Sequence, residues 1–404
     1  MKNAFLLILI IINVHAFAQT KTDLGKEDLK GKVKSTLSYR ISVDKKSDTL
    51  FFSKIFYTKN GMKEKYLDIE NDYGYKPMRG LDSTTYAYDA QNRISRTSDY
   101  EWFKNDNDPS KELRESTDTF TYDKKCNDIA TQKTVIKTKS KDNNSTDTWI
   151  VTYKYNDQCN MIFMEEVGRG RTNTTIVDYD SKERAIKRTF TYEDEKPDKV
   201  ETYQYDDAKN TLVYLEYSPR YDVYREKTIT QFNDHKKVTQ KTFYNAPTAG
   251  GCITFTKGSK TVPNQIFLVK KYLYNSDHQL QSEIHLDGSN KELLKIEVFY
   301  DEKKELKEQK FYKNGKLEYR EEYKYSNGNR LEESQFLPNK KSPEYVKSHK
   351  YNSDNQITEY ILAEGKNKYS NVYVYDKTGN EIEKHELKNG QLVNTEFTEI
   401  EYYP

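Results

Sequence analysis

An aromatic residue that opens a turn returns through this chain at nearly fixed steps, and no other property limits the possible folds so tightly. The copies read Tyr57-Thr-Lys-Asn-Gly61, Tyr88-Asp-Ala-Gln-Asn92, Tyr122-Asp-Lys-Lys-Cys126, Tyr155-Asn-Asp-Gln-Cys159, Tyr179-Asp-Ser-Lys-Glu183 and Tyr205-Asp-Asp-Ala-Lys209. They continue as Phe232-Asn-Asp-His-Lys236, Tyr274-Asn-Ser-Asp-His278, Tyr300-Asp-Glu-Lys-Lys304, Tyr325-Ser-Asn-Gly328, Tyr351-Asn-Ser-Asp-Asn355 and Tyr375-Asp-Lys-Thr-Gly379. Successive aromatics lie 31, 34, 33, 24, 26, 27, 42, 26, 25, 26 and 24 residues apart. A period of this size marks a repeat array. The basal unit is about 25 residues, and the wider early spacings read as longer outer loops.

Within a unit the periodicity is that of strands. In residues 296–336, Ile296, Val298 and Tyr300 alternate with Glu297 and Phe299. Asn314-Gly315 is a hairpin turn signal. Leu317, Tyr319, Tyr323 and Tyr325 then share one face, with Glu321 the exception. Glu318, Arg320, Glu322 and Lys324 share the other. Each unit is therefore two strands and two turns. The Asp or Asn after the signature aromatic bonds its own turn, and Gly or Asn near the end tolerates a left-handed backbone.

Twelve such units predict an all-β protein, a repeat array of antiparallel β-hairpins in a long curled or spiral meander sheet. Strand twist coils so long a ribbon, and the tyrosine face must be buried. Periodicity does not decide between a closed shell and an open superhelix.

The chain begins with a secretory leader: Lys2, an apolar run over residues 4–14, and the cleavage motif Ala16-Phe17-Ala18 before Gln19. The run is too short to span a bilayer, which takes about 20 apolar residues. No Cys follows it to carry a lipid. Removing 18 of the 404 residues leaves 386. The organisation reads as a signal peptide (1–18), an N-terminal cap (19–50) and the repeat array (51–404), with an inserted loop at 245–265. The protein is expected to be exported, to the periplasm, the cell surface or the medium, with no integral membrane segment after cleavage.

Mean hydropathy is −1.03 and 32% of residues are charged, values compatible with disorder. The 35 Tyr and 17 Phe, regularly placed, favour strands instead. Lys plus Arg against Asp plus Glu is 66 to 64, which gives no field to attract nucleic acid.

Tyr88-Asp89…Asn92-Arg93-Ile94 and Tyr375-Asp376-Lys377-Thr378-Gly379-Asn380 resemble the YD repeat of the bacterial RHS family. The similarity runs from about Phe51 to Pro404. Residues 311–317 also resemble a MORN-like repeat. The resemblance implies a spiral β-sheet of hairpins, which in large RHS proteins wraps around a C-terminal toxin. This chain shows no autoprotease motif and no toxin domain, so a small exported relative using the sheet as a binding surface is expected.

Cys126 and Cys159 stand four residues after consecutive signature tyrosines, and an exported chain permits a disulfide between them. Two small residues at the close of a turn are the alternative. Cys252 has no placed base and reads as inert. His235 and His278 fall in consecutive inner turns beside Asp234 and Asp277. That placement admits a surface metal site, but polar turn residues are the plainer reading. No metal and no cofactor is assigned. Asp89, Asp123, Asp180, Asp206, Asp301 and Asp376 form a column that either binds calcium or stabilises its own turns. There is no outstanding carboxylate pair, no Gly-X-Ser-X-Gly, no phosphate loop and no dinucleotide fingerprint.

Tyr100, Trp102 and Phe103, read as a long outer loop, and Trp149, at the head of the next strand, are the candidate binding residues. The expected function is a non-catalytic module that binds a glycan or an envelope protein. The alternative is a structural or adhesive envelope component acting through strand edges and the charged outer face, or an RHS-like toxin-associated protein. An enzyme is not expected.

Overall fold

The computed structural model describes residues 27, 29–42, 49–70, 79–105, 108–139, 144–193, 196–244 and 260–404. The leader and most of the inserted loop (245–259) lie outside them. Every described regular element is a β-strand, 26 in all, and consecutive strands pair antiparallel. The chain divides into two compact units, residues 1–151 with 371–404, and residues 152–370.

The first unit carries β1 (Val33–Ser42), β2 (Thr49–Tyr57), β3 (Lys63–Glu70), β4 (Arg79–Tyr88), β5 (Ile94–Asn105), β6 (Asp108–Tyr122) and β7 (Ile129–Lys139). It also carries β25 (Glu381–Lys388) and β26 (Gln391–Tyr402); β8 (Asn144–Tyr155) and β24 (Asn367–Tyr375) contain the division points. The early spacings of 34 and 33 residues come from strand length and not, as expected, from long loops, whereas the extra residues of the first spacing, 31, fall at 71–78, outside the described residues. β5, β6, β7 and β8 have 12, 15, 11 and 12 residues.

One expectation is corrected in this unit. β1, which lies in the segment read as a cap, pairs with β2 on one side and with β26 on the other, from Val33↔Tyr402 to Ser42↔Asn394. The two ends of the meander are thus hydrogen-bonded to each other. The strands close into a β-barrel and do not form an open spiral or solenoid. The closure leaves neither β1 nor β26 as an edge strand, so of the two features expected to serve an adhesive role the charged outer face is the one it does not touch.

The seam is where the first unit packs most tightly. Val33 and Tyr57 are buried completely or nearly so, at 0% and 1% exposure, against Leu29, Ile55, Ile400 and Tyr402. Burial of a side chain such as Val33 contributes about 1.5–3 kcal/mol. Tyr403 N donates to Lys32 O at 2.8 Å, and the Tyr403 hydroxyl donates to Tyr57 O. Gly31, at φ +88°, packs where a Cβ would lie 3.2 Å from the Tyr402 ring.

The second unit runs through β9 (Met161–Gly168), β10 (Arg171–Tyr179), β11 (Ala185–Tyr192), β12 (Lys199–Asp206), β13 (Thr211–Ser218), β14 (Val223–Phe232), β15 (Val238–Tyr244) and β16 (Ile266–Tyr274). It continues through β17 (Leu280–Asp287), β18 (Glu292–Tyr300), β19 (Leu306–Lys313), β20 (Lys316–Ser326), β21 (Asn329–Phe336), β22 (Tyr345–Tyr351) and β23 (Ile357–Glu364). Most of these strands have eight to ten residues, matching the 25-residue period.

The tyrosine hydroxyl explains why the signature residue is Tyr and not Phe. Tyr88 donates to Lys63 O, Tyr122 to Ile94 O, Tyr179 to Met161 O, Tyr274 to Val238 O, Tyr300 to Leu280 O and Tyr351 to Arg330 O, all at 2.7–3.0 Å. Each acceptor lies five or six residues after the preceding signature aromatic, so each of these six rings ties its hairpin to the one before. The tyrosine face carries more charge than expected. Glu321, the exception in the apolar pattern, accepts from Tyr323 at 2.7 Å and from Tyr345 at 3.3 Å. Its neighbour Glu333 pairs with Lys347 and Arg330.

Candidate functional site

The inner turns form a set of fixed loops. Oδ1 of Asp89, Asp123, Asp180, Asp301 and Asp376 accepts two amides of its own turn, and Oδ1 of Asp206 accepts Lys209 N. The aspartates are thereby spent on turn geometry. Burial raises the Asp89 carboxyl, but the amide and guanidinium of Arg93 pull it lower overall. Asp180 is lowered chiefly by the Arg184 side chain. Asp207, bonded by Lys182 and then Arg184, falls to about 2.

The residue four places after the signature aromatic has a left-handed backbone in most copies, including Gly61, Asn92, Cys159, Glu183, Lys236, His278, Lys304, Asn355 and Gly379. In the Tyr122 turn that residue is Asn127, because the turn closes on Asp128 O and is one residue longer. Cys126 and Cys159 therefore differ in backbone position, although the sequence aligns them. Both cysteines are disulfide-bonded. Cys252 lies outside the described residues.

The cation five places after the aromatic has a double task. Arg93 pairs with Asp89 at 2.6 Å and lies 4.0 Å from the centre of the Tyr122 ring. Arg184 pairs with Asp180 at 2.7 Å and lies 4.1 Å from the Tyr205 ring. Each links its own turn to the next tyrosine.

Tyr100, Trp102 and Phe103 belong to strand β5, opposite Glu115, Leu113 and Glu112 of β6, and not to an outer loop. Tyr100 is 39% exposed. The side chains of Trp102 and Phe103 lie outside what the structure describes. Trp149 sits inside β8 rather than at its head, half-buried. His235 and His278 do meet, with ring centres 3.7 Å apart. Among the described residues no group of three or more His, Cys, Asp or Glu is placed to hold a metal ion.

Sequence reading missed a hollow of about 540 Å3 in the second unit. Phe163 of β9 lies directly opposite Ile176 of β10, which is 45% exposed. The Lys154 ammonium is 4.7 Å from the Phe163 ring centre. Asp178, Asn156 and Tyr179 complete the wall. The lining thus combines the apolar Ile162, Phe163, Ile176 and Val177 with one ammonium and one carboxylate, the kind of surface that can bind and orient a small molecule. It has no second carboxylate for glycoside chemistry and no nucleophile with a base. Only Ile176, an apolar residue on the face of β10 it shares with Thr172, Thr174 and Asp178, was a signal for it.

The chain matches no protein-family model and no curated protein. Among solved structures it is similar to the TcdB2-TccC3-Cdc42 complex, at 10% identity and a TM-score of 0.23, over 89% of this chain and 27% of that one. It thus spans about a quarter of that chain. It is also similar to a porin-like protein from Bacteroides uniformis ATCC 8492, at 10% identity and a TM-score of 0.22, over 92% and 98% of the two chains. Superpositions this loose carry no argument about function. Among the described residues no helix is long and apolar enough to cross a membrane.

Proposed function

We propose that the protein is an exported, non-catalytic binding module of the bacterial envelope, a small relative of the RHS/YD-repeat proteins, and that its ligand is a glycan. The observation behind this reading is the hollow at Phe163 and Ile176. The signature tyrosines and turn aspartates are consumed by the scaffold, whereas Phe163, Ile176, Lys154 and Asp178 of this lining take part in none of the turn or tyrosine contacts described above. A pyranose offers an apolar C–H face to the apolar part of such a lining and hydroxyls to its charged groups.

The barrel stands in water in this reading. A lipid-facing barrel needs a charge-free band about 25 Å tall on one face. Here Lys295, Glu297, Lys310, Glu308, Arg320 and Glu322 share one face of β18–β20, while Glu321, Glu333 and Lys347 lie on the other. Release of the protein by a carbonate wash of membranes supports this placement, and retention with the outer-membrane barrels overturns it.

The direct test is a glycan and peptidoglycan array probed with residues 19–404. Selective binding lost in Phe163→Ala supports the hollow. Selective binding lost only in Trp102→Ala moves the site to β5. No binding to any glycan overturns the glycan ligand and leaves an envelope protein as the partner.

A further inference from the structure

We propose that His235 and His278 form a two-imidazole site for a borderline-soft divalent cation (Cu2+, Ni2+ or Zn2+), with solvent in the remaining positions. Each histidine is carried on a turn whose backbone is already fixed. In the first, Asn233 N bonds Lys237 O at 2.9 Å and His235 N bonds Asn233 Oδ1 at 3.0 Å. In the second, Asn275 N bonds Gln279 O and His278 N bonds Asn275 O, both at 3.0 Å, and His278 sits at φ 62°. The anchors are thus held in place before any ligand arrives, which lowers the ordering cost of binding.

Neighbouring turns elsewhere are joined by polar bonds. Arg184 pairs with Asp207 at 2.7 Å, Lys304 with Asp277 at 2.7 Å, and Asn329 bonds Asn355 at 3.1 Å. Between the Phe232 and Tyr274 turns the two imidazoles meet instead, 3.7 Å apart at 46°. Neither ring is hydrogen-bonded to another described residue. Their nitrogens are therefore available as ligands, and the rings stand near enough for side-chain rotation to aim one nitrogen of each at a common point. Metal–nitrogen distances of about 2.0–2.1 Å fix that point.

The surroundings select the class of ion. Asp277 is engaged by Lys304, and Lys237 Nζ donates to His278 O. Asp234 and Lys236 flank the first ring in sequence. Asp234 accepts from the Asn210 amide, and Lys236 Nζ donates to Asn210 Oδ1, so among the described residues no oxygen cage for Ca2+ or Mg2+ is present. Imidazole pairs favour Cu, Ni and Zn. A bound ion would staple two successive hairpins at their turns.

The test is a calorimetric titration of the untagged mature chain with Cu2+, Ni2+ and Zn2+, with Ca2+ as control, and electron paramagnetic resonance of the Cu2+ form. One ion per chain and a spectrum showing two nitrogen ligands are expected. His235→Ala and His278→Ala should each weaken binding at least tenfold, with circular dichroism unchanged. The thermal midpoint should rise with metal in the wild type and not in the double variant. Unchanged affinity in the double variant, or saturable Ca2+ binding of equal strength, would overturn the proposal; so would the absence of saturable binding.

Discussion

The side-chain amide of Asn380 grips the backbone of Lys30 at two points: Oδ1 accepts from Lys30 N at 2.6 Å and Nδ2 donates to Lys30 O at 2.9 Å. The same Nδ2 donates to the Tyr402 hydroxyl at 2.7 Å, and that hydroxyl donates in turn to Asp376. Residues 350 positions apart are thus joined beside the seam that closes the sheet. Asn380 is 2% exposed, so water does not readily replace these bonds.

Asn380→Ala should lower stability by about 1–3 kcal/mol, the cost of leaving such groups unpaired. Asn380→Asp should cost at least as much, since it loses the donor and sets a second carboxylate beside Asp376. Urea midpoints of the three proteins decide this. A change below about 0.5 kcal/mol in both variants would show that the seam does not depend on this contact.

The tyrosine relay makes a second prediction. Tyr300→Phe and Tyr179→Phe each remove one hydroxyl donor to a backbone carbonyl and leave the ring in place. Each should cost about 1 kcal/mol. The two share no partner, so the double variant should cost the sum. Phe232 already occupies a signature position, which shows that one missing hydroxyl is tolerated.

Local features of the fold were legible in the sequence, and the long-range closure was not. The Tyr-Asp/Asn pairs marked the end of nearly every second strand because the turn chemistry is local: Asp180, for example, bonds amides only two and four residues on. Closure depends on contacts such as Ser38 with Thr398, 360 residues apart, which no period encodes. The stretch around Tyr100 was misread for a related reason. Extra residues between turns lengthen strands as readily as loops, and β5 and β6 took them as strand. Beyond Ile176, no residue of the two strands hinted at a hollow, because its shape depends on the pairing of β9 with β10.

The turn carboxylates make stability depend on pH. Asp123 is lowered below its ordinary 3.8, first by the Cys126 amide and then by the Lys125 amide. A carboxyl depressed in the folded state contributes stability that is complete above the unfolded value and lost as pH falls through the folded one. Unfolding midpoints should therefore drop progressively below about pH 4. Asp123→Asn keeps an oxygen for both amides, as Asn156 does in the next turn, and should drop less between pH 6 and pH 3 than the wild type. A steeper drop in the variant would show that the amides do not hold the charged form.

Cys126 and Cys159 are both disulfide-bonded, and the expected bond joins them to each other. Of three cysteines that leaves one thiol, Cys252. Alkylation of the denatured, unreduced protein should add one label, and alkylation after reduction should add three. A non-reduced digest should yield a single cross-linked peptide containing both residues. The bond closes a loop of 33 residues (159 minus 126), so reduction should lower stability by about 2–4 kcal/mol. Three labels before reduction, or a cross-link through Cys252, would exclude the pairing. Correct labelling with no loss of stability would mean that the two turns are held by their hydrogen bonds alone.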